Sequence, residues 1–330
     1  GPEPDTGPNP YAGVSCSTPP PKGASLADDP PPYSNGTCPV LKAGYNDLKS
    51  GADQRRFLLI VPENPQPNEV FPVIFMWHWL AGSPEEFLEA GELQRGADTQ
   101  RVIAVLPAGK GDLPLFPDLP FPWPILDTHS DARREEDYRY FDDMLACGAE
   151  PFAGNGDCVS GVGISAGALF TAQLAVARSQ YLSSFASLSG GIGSDRFEGA
   201  AANRNVRRWS TPEHRLPAFV LWGGPEDICV LINFEVASED LEQHLTADGH
   251  LVVECVHNCG HAVPPVEAGD ELSRYAVIWR FLLDHPFWLP PGQSPYRATG
   301  LPDSPMDWCA IGAGQATMRS GVCEGPGCPS

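Results

Sequence analysis

Hydrophobic residues between positions 55 and 283 fall into short apolar runs, which alternate with longer amphipathic or alanine-rich segments. Runs of about four to eight apolar residues bounded by turn residues are typical of strands buried on both faces of a sheet. The pattern predicts strands at 55–61, 70–77, 101–106, 158–164, 185–188, 218–222 and 251–256.

Helices are predicted in the segments between these strands. Ser83 is a candidate N-cap, because Pro84 follows at the first helical position and two glutamates occupy the first turn. Further helices are predicted at 138–147, 166–179, 232–247 and 267–283. Strands that alternate with helices predict an α/β fold, in which helices flank a mostly parallel central sheet.

Three segments lack this periodicity. Residues 1–39 contain dense proline clusters, and residues 286–330 contain three cysteines and no clear pattern. Residues 107–135 form a long proline-rich loop, and a loop of this length inside a domain is usually a rim or lid. We therefore predict an N-terminal extension (1–39), one main domain (40–285) and a C-terminal tail (286–330) packed on that domain.

Composition narrows the range of partners. The 330 residues include 21 Lys plus Arg against 42 Asp plus Glu, a net charge of −21, which argues against binding to nucleic acid or anionic membranes. The longest apolar run, at 71–82, is too short to span a bilayer. A chain of this size can bury a full core by itself, so we expect a monomer.

The chain has ten cysteines and no CxxC pair, which argues against zinc ribbons and thioredoxin-like sites. An even number spread along the chain predicts about five disulfides, formed outside the cytoplasm. We expect a secreted or cell-surface protein whose export signal is missing from this sequence. Spacing along the chain favours Cys16–Cys38, Cys147–Cys158 and one bridge among Cys309, Cys323 and Cys328.

The most informative motif is the G-x-S-x-G at 163–167, which lies between an apolar strand and an alanine-rich helix. Glycines on both sides of a serine permit a sharp strand-to-helix turn that exposes the hydroxyl at the edge of the sheet. In this context Ser165 is a candidate nucleophile. The backbone N–H of Ala166, at the start of the helix, is a candidate oxyanion donor.

The same stretch also satisfies the dinucleotide-binding fingerprint G-x-G-x-x-A, at 161–166. That fingerprint requires an acidic residue at the end of the next strand, where this chain has Leu188-Ser189-Gly190-Gly191. A nicotinamide cofactor is therefore disfavoured, and we expect no cofactor.

A nucleophilic serine of this kind is followed along the chain by an acid and then a histidine, each on a loop after a strand. Asp227 lies on the loop after strand 218–222 and is favoured over its neighbour Glu226. His261 lies on the loop after strand 251–256 and is favoured over His257, which is close to the strand end.

Cys255, His257, Cys259 and His261 alternate in a way that could suggest a metal cluster. Structural zinc sites usually separate their ligands by two or more residues, so we expect no metal. A disulfide from Cys229 to Cys255 or Cys259 would instead join the acid loop to the histidine loop.

The second oxyanion donor is expected on the loop that follows strand 70–77. The backbone N–H groups of Leu80 and Trp79 are both candidates, with Leu80 preferred. Apolar residues at strand ends, beside the acid and on the long loop could line an acyl pocket, and packing in the core is the alternative for each of the aromatic ones. The candidates are Trp79, Phe121, Trp123, Trp222 and Ile228.

Several of these motifs together resemble secreted α/β-hydrolases of the polyhydroxybutyrate-depolymerase and feruloyl-esterase type. The similarity runs from about residue 38 to 285 and includes RFLLIVP at 56–62, HWLAGS at 78–83, FDDMLACG at 141–148, GISAGALF at 163–170, LSGG at 188–191, GGPEDI at 223–228 and CGHAVP at 259–264. The resemblance implies an α/β-hydrolase fold, hydrolysis of polyester or aromatic esters, and a Ser165–His261–Asp227 triad. Members of this family commonly have His-Gly at the position where this chain has His78-Trp79. The resemblance therefore implies a bulkier oxyanion loop in this chain.

The sequence thus predicts a secreted serine esterase, acting on an ester substrate that could be polymeric. Three alternatives stay open: a peptidase or acyltransferase with the same triad, a dinucleotide-binding oxidoreductase, and a catalytically silent binding protein.

Overall fold

The apolar runs form the centre of a nine-stranded sheet in the computed structural model, which describes residues 9–116, 119–148, 152–196, 201–266, 272–302, 306–323 and 327–328. The strands in these ranges are β1 (Gly44–Ser50), β2 (Asp53–Ile60), β3 (Phe71–Trp77), β4 (Ile103–Pro107), β5 (Leu113–Phe116), β6 (Leu119–Phe121), β7 (Gly154–Ile164), β8 (Ser184–Leu188), β9 (Ala218–Trp222), β10 (Ile228–Cys229), β11 (Ile232–Asn233), β12 (Val252–Val256) and β13 (Cys309–Ile311).

The order across the main sheet is β1-β2-β4-β3-β7-β8-β9-β12-β13. The strands from β4 to β12 in this order pair in parallel, whereas β1, β2 and β13 pair antiparallel with their neighbours. The predicted mostly parallel sheet is therefore confirmed. The remaining strands form two small hairpins, β5–β6 and β10–β11.

Helices cover both faces of the sheet. In the described part of the chain they are α1 (Pro84–Ala90), α2 (Leu93–Gln100), α3 (Asp131–Gly148), α4 (Ala166–Ala177), α5 (Phe234–Ala247), α6 (Ala276–Leu283) and α7 (Tyr296–Thr299). Alternate residues of β3 enter two separate cores, Phe75 and Trp77 on one side and Ile74 and Met76 on the other. No helix in the described ranges has the length and hydropathy needed to cross a membrane.

Several element boundaries differ from those predicted. Ser83 caps α1 as expected, since its side chain accepts from the N–H of Glu86. The segment predicted as one loop at 107–135 contains the β5–β6 hairpin and the start of α3. Of the helix predicted at 267–283, residues 267–271 lie outside the described ranges and the helix begins at Ala276.

The N- and C-terminal segments are joined to the main sheet. The Cys16 N–H donates to the Leu283 carbonyl oxygen at 2.7 Å, which holds the extension near the end of α6. In the tail, β13 pairs antiparallel with β12 and so adds an edge strand to the sheet.

All ten cysteines form disulfides, but not the pairs that spacing favoured. The bonds are Cys16–Cys158, Cys38–Cys147, Cys229–Cys328, Cys255–Cys309 and Cys259–Cys323. The pairings predicted between cysteines close in sequence were wrong, and so was the direct bridge between the acid and histidine loops. The fold brings the extension against β7 and α3, and the tail against β10, β12 and the histidine loop, and spacing along the chain does not indicate these contacts.

Candidate active site

Ser165 lies at a tight bend between the end of β7 and the start of α4. Its backbone has φ 55° and ψ −120°, a conformation that is strained for a residue with a side chain. A Cβ atom on Gly163 would lie 2.2 Å from the Gly167 carbonyl oxygen, and one on Gly167 would lie 1.9 Å from the Trp77 carbonyl oxygen. Both glycines are required because β3, β7 and α4 approach one another so closely at this point.

The structure places Ser165, His261 and Asp227 in one hydrogen-bonded series. Ser165 Oγ lies 2.9 Å from His261 Nε2, and His261 Nδ1 lies 2.6 Å from Asp227 Oδ1. Asp227 is fully buried, and Ser165 is 9% exposed. Residues from three distant parts of the sequence thus meet at the carboxyl ends of the parallel strands.

Two further donors hold the Asp227 carboxylate in place. Its second oxygen, Oδ2, accepts from the Ser189 hydroxyl at 2.8 Å and from the Gly223 N–H at 2.7 Å. Sequence analysis did not identify Ser189 as a site residue. The signal was present, because the LSGG motif places Ser189 directly after β8, at the same edge of the sheet.

The imidazole of His261 packs against an aromatic ring, which sequence analysis also missed. Phe234, at the start of α5, stacks on this imidazole with ring centroids 4.3 Å apart and planes 20° apart. The Phe234 N–H donates to the Asp227 carbonyl oxygen at 2.7 Å. One residue therefore contacts both the histidine and the backbone of the acid.

The structure also distinguishes between the competing acids and bases. Glu226 is exposed, at the end of a short turn of helix. His257 is fully buried, and burial lowers its pKa to about 4, so its ring is neutral near pH 7. Its Nδ1 accepts from the Cys259 N–H at 3.1 Å and lies outside the series that includes Ser165.

The loop after β3 is held by His78, whose pKa burial lowers. His78 Nε2 accepts from the Gly109 N–H at 3.3 Å, so the proton is on Nδ1, which donates to the Trp79 carbonyl oxygen at 2.9 Å. That oxygen also accepts from the Gly82 N–H at 3.0 Å. The C=O and N–H of a trans peptide point in opposite directions. The N–H of Leu80 therefore points away from these contacts.

Beside Ser165 lies a cavity of about 280 Å³ with an almost entirely apolar lining. It is lined by Leu80, Leu115, Phe116, Phe121, Ile125, Leu126, Ser165, Ala166, Leu169, Ala202, Asn205, Cys229, Val230, Leu231, Ile232 and Phe234. Ala166 and Leu80, two of the residues whose N–H groups are candidate oxyanion donors, are among these residues, and Trp79 is not. The cavity is also bordered by both small hairpins.

Of the residues expected to form an acyl pocket, Phe121 lines this cavity and the others lie elsewhere. Trp123 is fully buried and packs edge-on against Trp77. Its indole N–H donates to the His78 carbonyl oxygen, which holds the ring away from the cavity. Trp222 lies in the core with its indole N–H 3.4 Å from a Glu242 oxygen.

The ring of Trp79 packs on Phe87 of α1, 5.6 Å between centroids, instead of on the cavity. Ile228 is 47% exposed and is not part of the lining. The sequence located the strand ends correctly but could not give the direction of each side chain.

The alternating cysteines and histidines do not form a thiolate site, because Cys255 and Cys259 are both in disulfides with the tail. In the ranges that the structure describes, no three His, Cys, Asp or Glu side chains are grouped so as to hold a metal ion.

Comparisons with known proteins agree with this architecture. No family profile and no curated protein sequence matches the chain. Among solved structures, native sOPH is similar with a TM-score of 0.67 and 17% identity, over 84% of this chain and 98% of that chain. Native pOPH is similar with a TM-score of 0.66 and 18% identity, over 86% and 99% of the two chains.

A ferulic acid esterase matches with a TM-score of 0.49 and 14% identity, over 67% of this chain and 90% of that one. At such low identities the likeness to sOPH and pOPH concerns the fold. The chain has the α/β-hydrolase fold: a mostly parallel central sheet, flanking helices, and a serine at the strand-to-helix turn of G-x-S-x-G.

Proposed function

We propose that the protein is a serine esterase that hydrolyses carboxylic esters through an acyl-enzyme. The observation that carries this proposal is the hydrogen-bonded series from Ser165 through His261 to the buried Asp227. An imidazole between a hydroxyl and a buried carboxylate can remove the hydroxyl proton as the hydroxyl attacks a carbonyl. The adjoining apolar cavity provides room for an acyl group.

In the proposed reaction, Ser165 Oγ attacks the ester carbonyl carbon and His261 Nε2 takes its proton. The tetrahedral oxyanion accepts from the N–H groups of Ala166 and Leu80, and loss of one such donor typically costs about 2.7–4 kcal/mol. Collapse expels the alcohol, protonated by His261, and leaves the acyl-enzyme. Water activated by His261 then releases the acid, while Asp227 stabilises the imidazolium.

Five disulfides support a site of action outside the cytoplasm, since such bonds persist in oxidising compartments. We therefore propose that the enzyme is secreted. Its partner is an ester substrate, and a solid polyester is one form that this substrate could take.

The test is hydrolysis of p-nitrophenyl acetate by the parent and by Ser165→Ala. We expect turnover to fall by about 10⁴-fold or more, because the nucleophile is lost, with an unchanged melting temperature. Ser160→Ala is the matched control, because it removes a buried hydroxyl that bonds to Ser183 and Ser184, away from His261.

Labelling with a fluorophosphonate, mapped by peptide mass spectrometry, should modify Ser165 alone. Retained turnover in Ser165→Ala, or labelling at another serine, would refute the assignment. Comparable turnover of the matching p-nitroanilide would favour the peptidase alternative.

A further inference from the structure

The hairpin that follows Asp227 has an unusual turn. Strands β10 and β11 pair through Cys229 and Ile232, which leaves Val230 and Leu231 as a two-residue turn. Their φ angles are 47° and 66°, so both lie in the left-handed region. Two-residue turns with positive φ at both positions strongly favour Asn-Gly, and a β-branched residue such as Val is an outlier there.

The rest of the hairpin is fixed from both sides. At its base, the Phe234 N–H donates to the Asp227 carbonyl oxygen, and Cys229 is in a disulfide with Cys328. The two turn residues therefore adopt their conformation because the flanking strands impose it. A sequence that breaks a local rule at a constrained position usually does so for function.

The side chains of the turn form part of the wall of the cavity beside Ser165. Val230 and Leu231 both line it, together with Ile232 from the same hairpin and Phe116 from the β5–β6 hairpin. Leu231 is 75% exposed and Phe116 is 55% exposed. Core burial does not explain an apolar side chain held this far out in water, whereas contact with an apolar ligand at the cavity mouth does.

We propose that the Val230–Leu231 turn is a specificity determinant that selects esters with an apolar acyl chain longer than acetyl; this rests on the proposed esterase function. The lining favours such a chain, since Ser165 and Asn205 are its only side chains, within the described residues, with oxygen or nitrogen atoms. An acyl chain with its own carboxylate would have only the Asn205 side chain of this lining as a partner besides Ser165, at a cost in binding.

The experiment replaces the turn with the sequence that its backbone prefers. In Val230→Asn/Leu231→Gly the hairpin keeps its geometry, the strain is relieved and both apolar side chains are lost. We measure kcat/KM for p-nitrophenyl acetate and p-nitrophenyl hexanoate, and the melting temperature. The hexanoate-to-acetate ratio should fall by about tenfold, because the longer chain loses more apolar contact. The melting temperature should stay level or rise by about 2–4 °C.

Ala153→Gly is the matched control. Ala153 has φ 53° and is exposed, near the amino end of β7, whereas Ser165 follows the carboxyl end of that strand. Relief of strain at Ala153 should leave the hexanoate-to-acetate ratio of kcat/KM unchanged.

A double variant whose ratio stays within twofold of the parent would overturn the inference, even if acetate turnover persists. A fall in the ratio accompanied by a lower melting temperature would also overturn it, because the turn would then be structural. A parent that hydrolyses neither ester would instead show that the proposed esterase function is wrong, and the inference would fail with it.

Discussion

At the scale of single residues, the candidate site includes buried groups that contact Asp227 and not Ser165. The carboxylate of Asp227 is fully buried and accepts from Ser189, Gly223 and His261. A buried carboxylate needs several such donors, because each unmet acceptor in the interior is costly. Ser189 is therefore a positioning residue in the proposed mechanism.

We expect Ser189→Ala to lower kcat for p-nitrophenyl acetate by about tenfold, with KM much less affected. A hydrogen bond to a charged group is worth about 1.5–3 kcal/mol, and part of this energy supports the orientation of His261. Ser160→Ala is again the control, and it should leave kcat unchanged. Equal losses of kcat in the two variants would contradict this role for Ser189.

The sequence predicted that Ser165, Asp227 and His261 lie close together, because each follows an apolar strand and parallel strands present their carboxyl ends at one edge, and their side chains do lie within hydrogen-bond distance of one another. The sequence did not predict that Phe234 stacks on His261 or that Trp123 is buried. Phe234 reads as an ordinary apolar residue of a helix, and Trp123, on the long loop, was a candidate for the acyl pocket although it is fully buried. Side-chain direction on an irregular loop has no periodic signature.

At the scale of elements, the bend at Ser165 sets how close β7 and α4 must come. Two of the glycines in β7, Gly161 and Gly163, lie in very different environments. A Cβ on Gly163 would clash with backbone atoms of Gly167 and Ala168, whereas a Cβ on Gly161 would meet only the Thr171 methyl group, at 3.3 Å.

We expect Gly163→Ala to lower the melting temperature by about 5 °C, because backbone must move to admit the methyl group. Turnover should fall by about 100-fold as Ser165 shifts from His261. Gly161→Ala is the matched control on the same strand and should change both quantities little. An active, stable Gly163→Ala protein would contradict this prediction, because β7 and α4 could then move apart at Ser165 without loss of function.

Element prediction succeeded where strands are buried on both faces, as in β3, β9 and residues 158–164 of β7, because these runs are largely apolar; the polar residues 154–157 of β7 were not predicted as strand. It missed β1, which alternates buried and exposed residues at the edge of the sheet, and the two short hairpins. Proline within β5 and β6 removed the usual signal of a strand.

At the scale of the whole molecule, a buried carboxyl pair links α5, β12 and the tail. Glu254 accepts from the N–H groups of Gly314 and Ala316, at 3.0 and 2.7 Å. Burial, and then the nearby charge of Glu254, raise the pKa of Glu242 to about 9. Glu242 is therefore protonated near pH 7 and hydrogen-bonds to Glu254.

Stability should consequently depend on pH. Glu242 has an ordinary pKa of 4.5 in the unfolded chain and about 9 in the folded one, so the folded state holds the extra proton between these values. The free energy of unfolding should then fall as pH rises from about 5 to 9, by up to about 1.4 kcal/mol per pH unit.

We expect Glu242→Gln to flatten this slope in urea unfolding measured at several pH values, since the amide donates to Glu254 without titrating. Glu89→Gln removes an exposed glutamate of α1 and should keep the parent's slope. Identical slopes for Glu242→Gln and the parent would show that another group causes the dependence.

The disulfide pattern also fixes when the site can be completed. The tail is bonded to Cys229, two residues after Asp227, to Cys255 in β12, and to Cys259, two residues before His261. These bonds can form only after the ribosome has added residues 309, 323 and 328, by which time the central strands are already synthesised. The three bonds between the tail and the loops of the site can therefore form only late in synthesis, and in a reducing compartment the histidine loop would lack its covalent link to the tail.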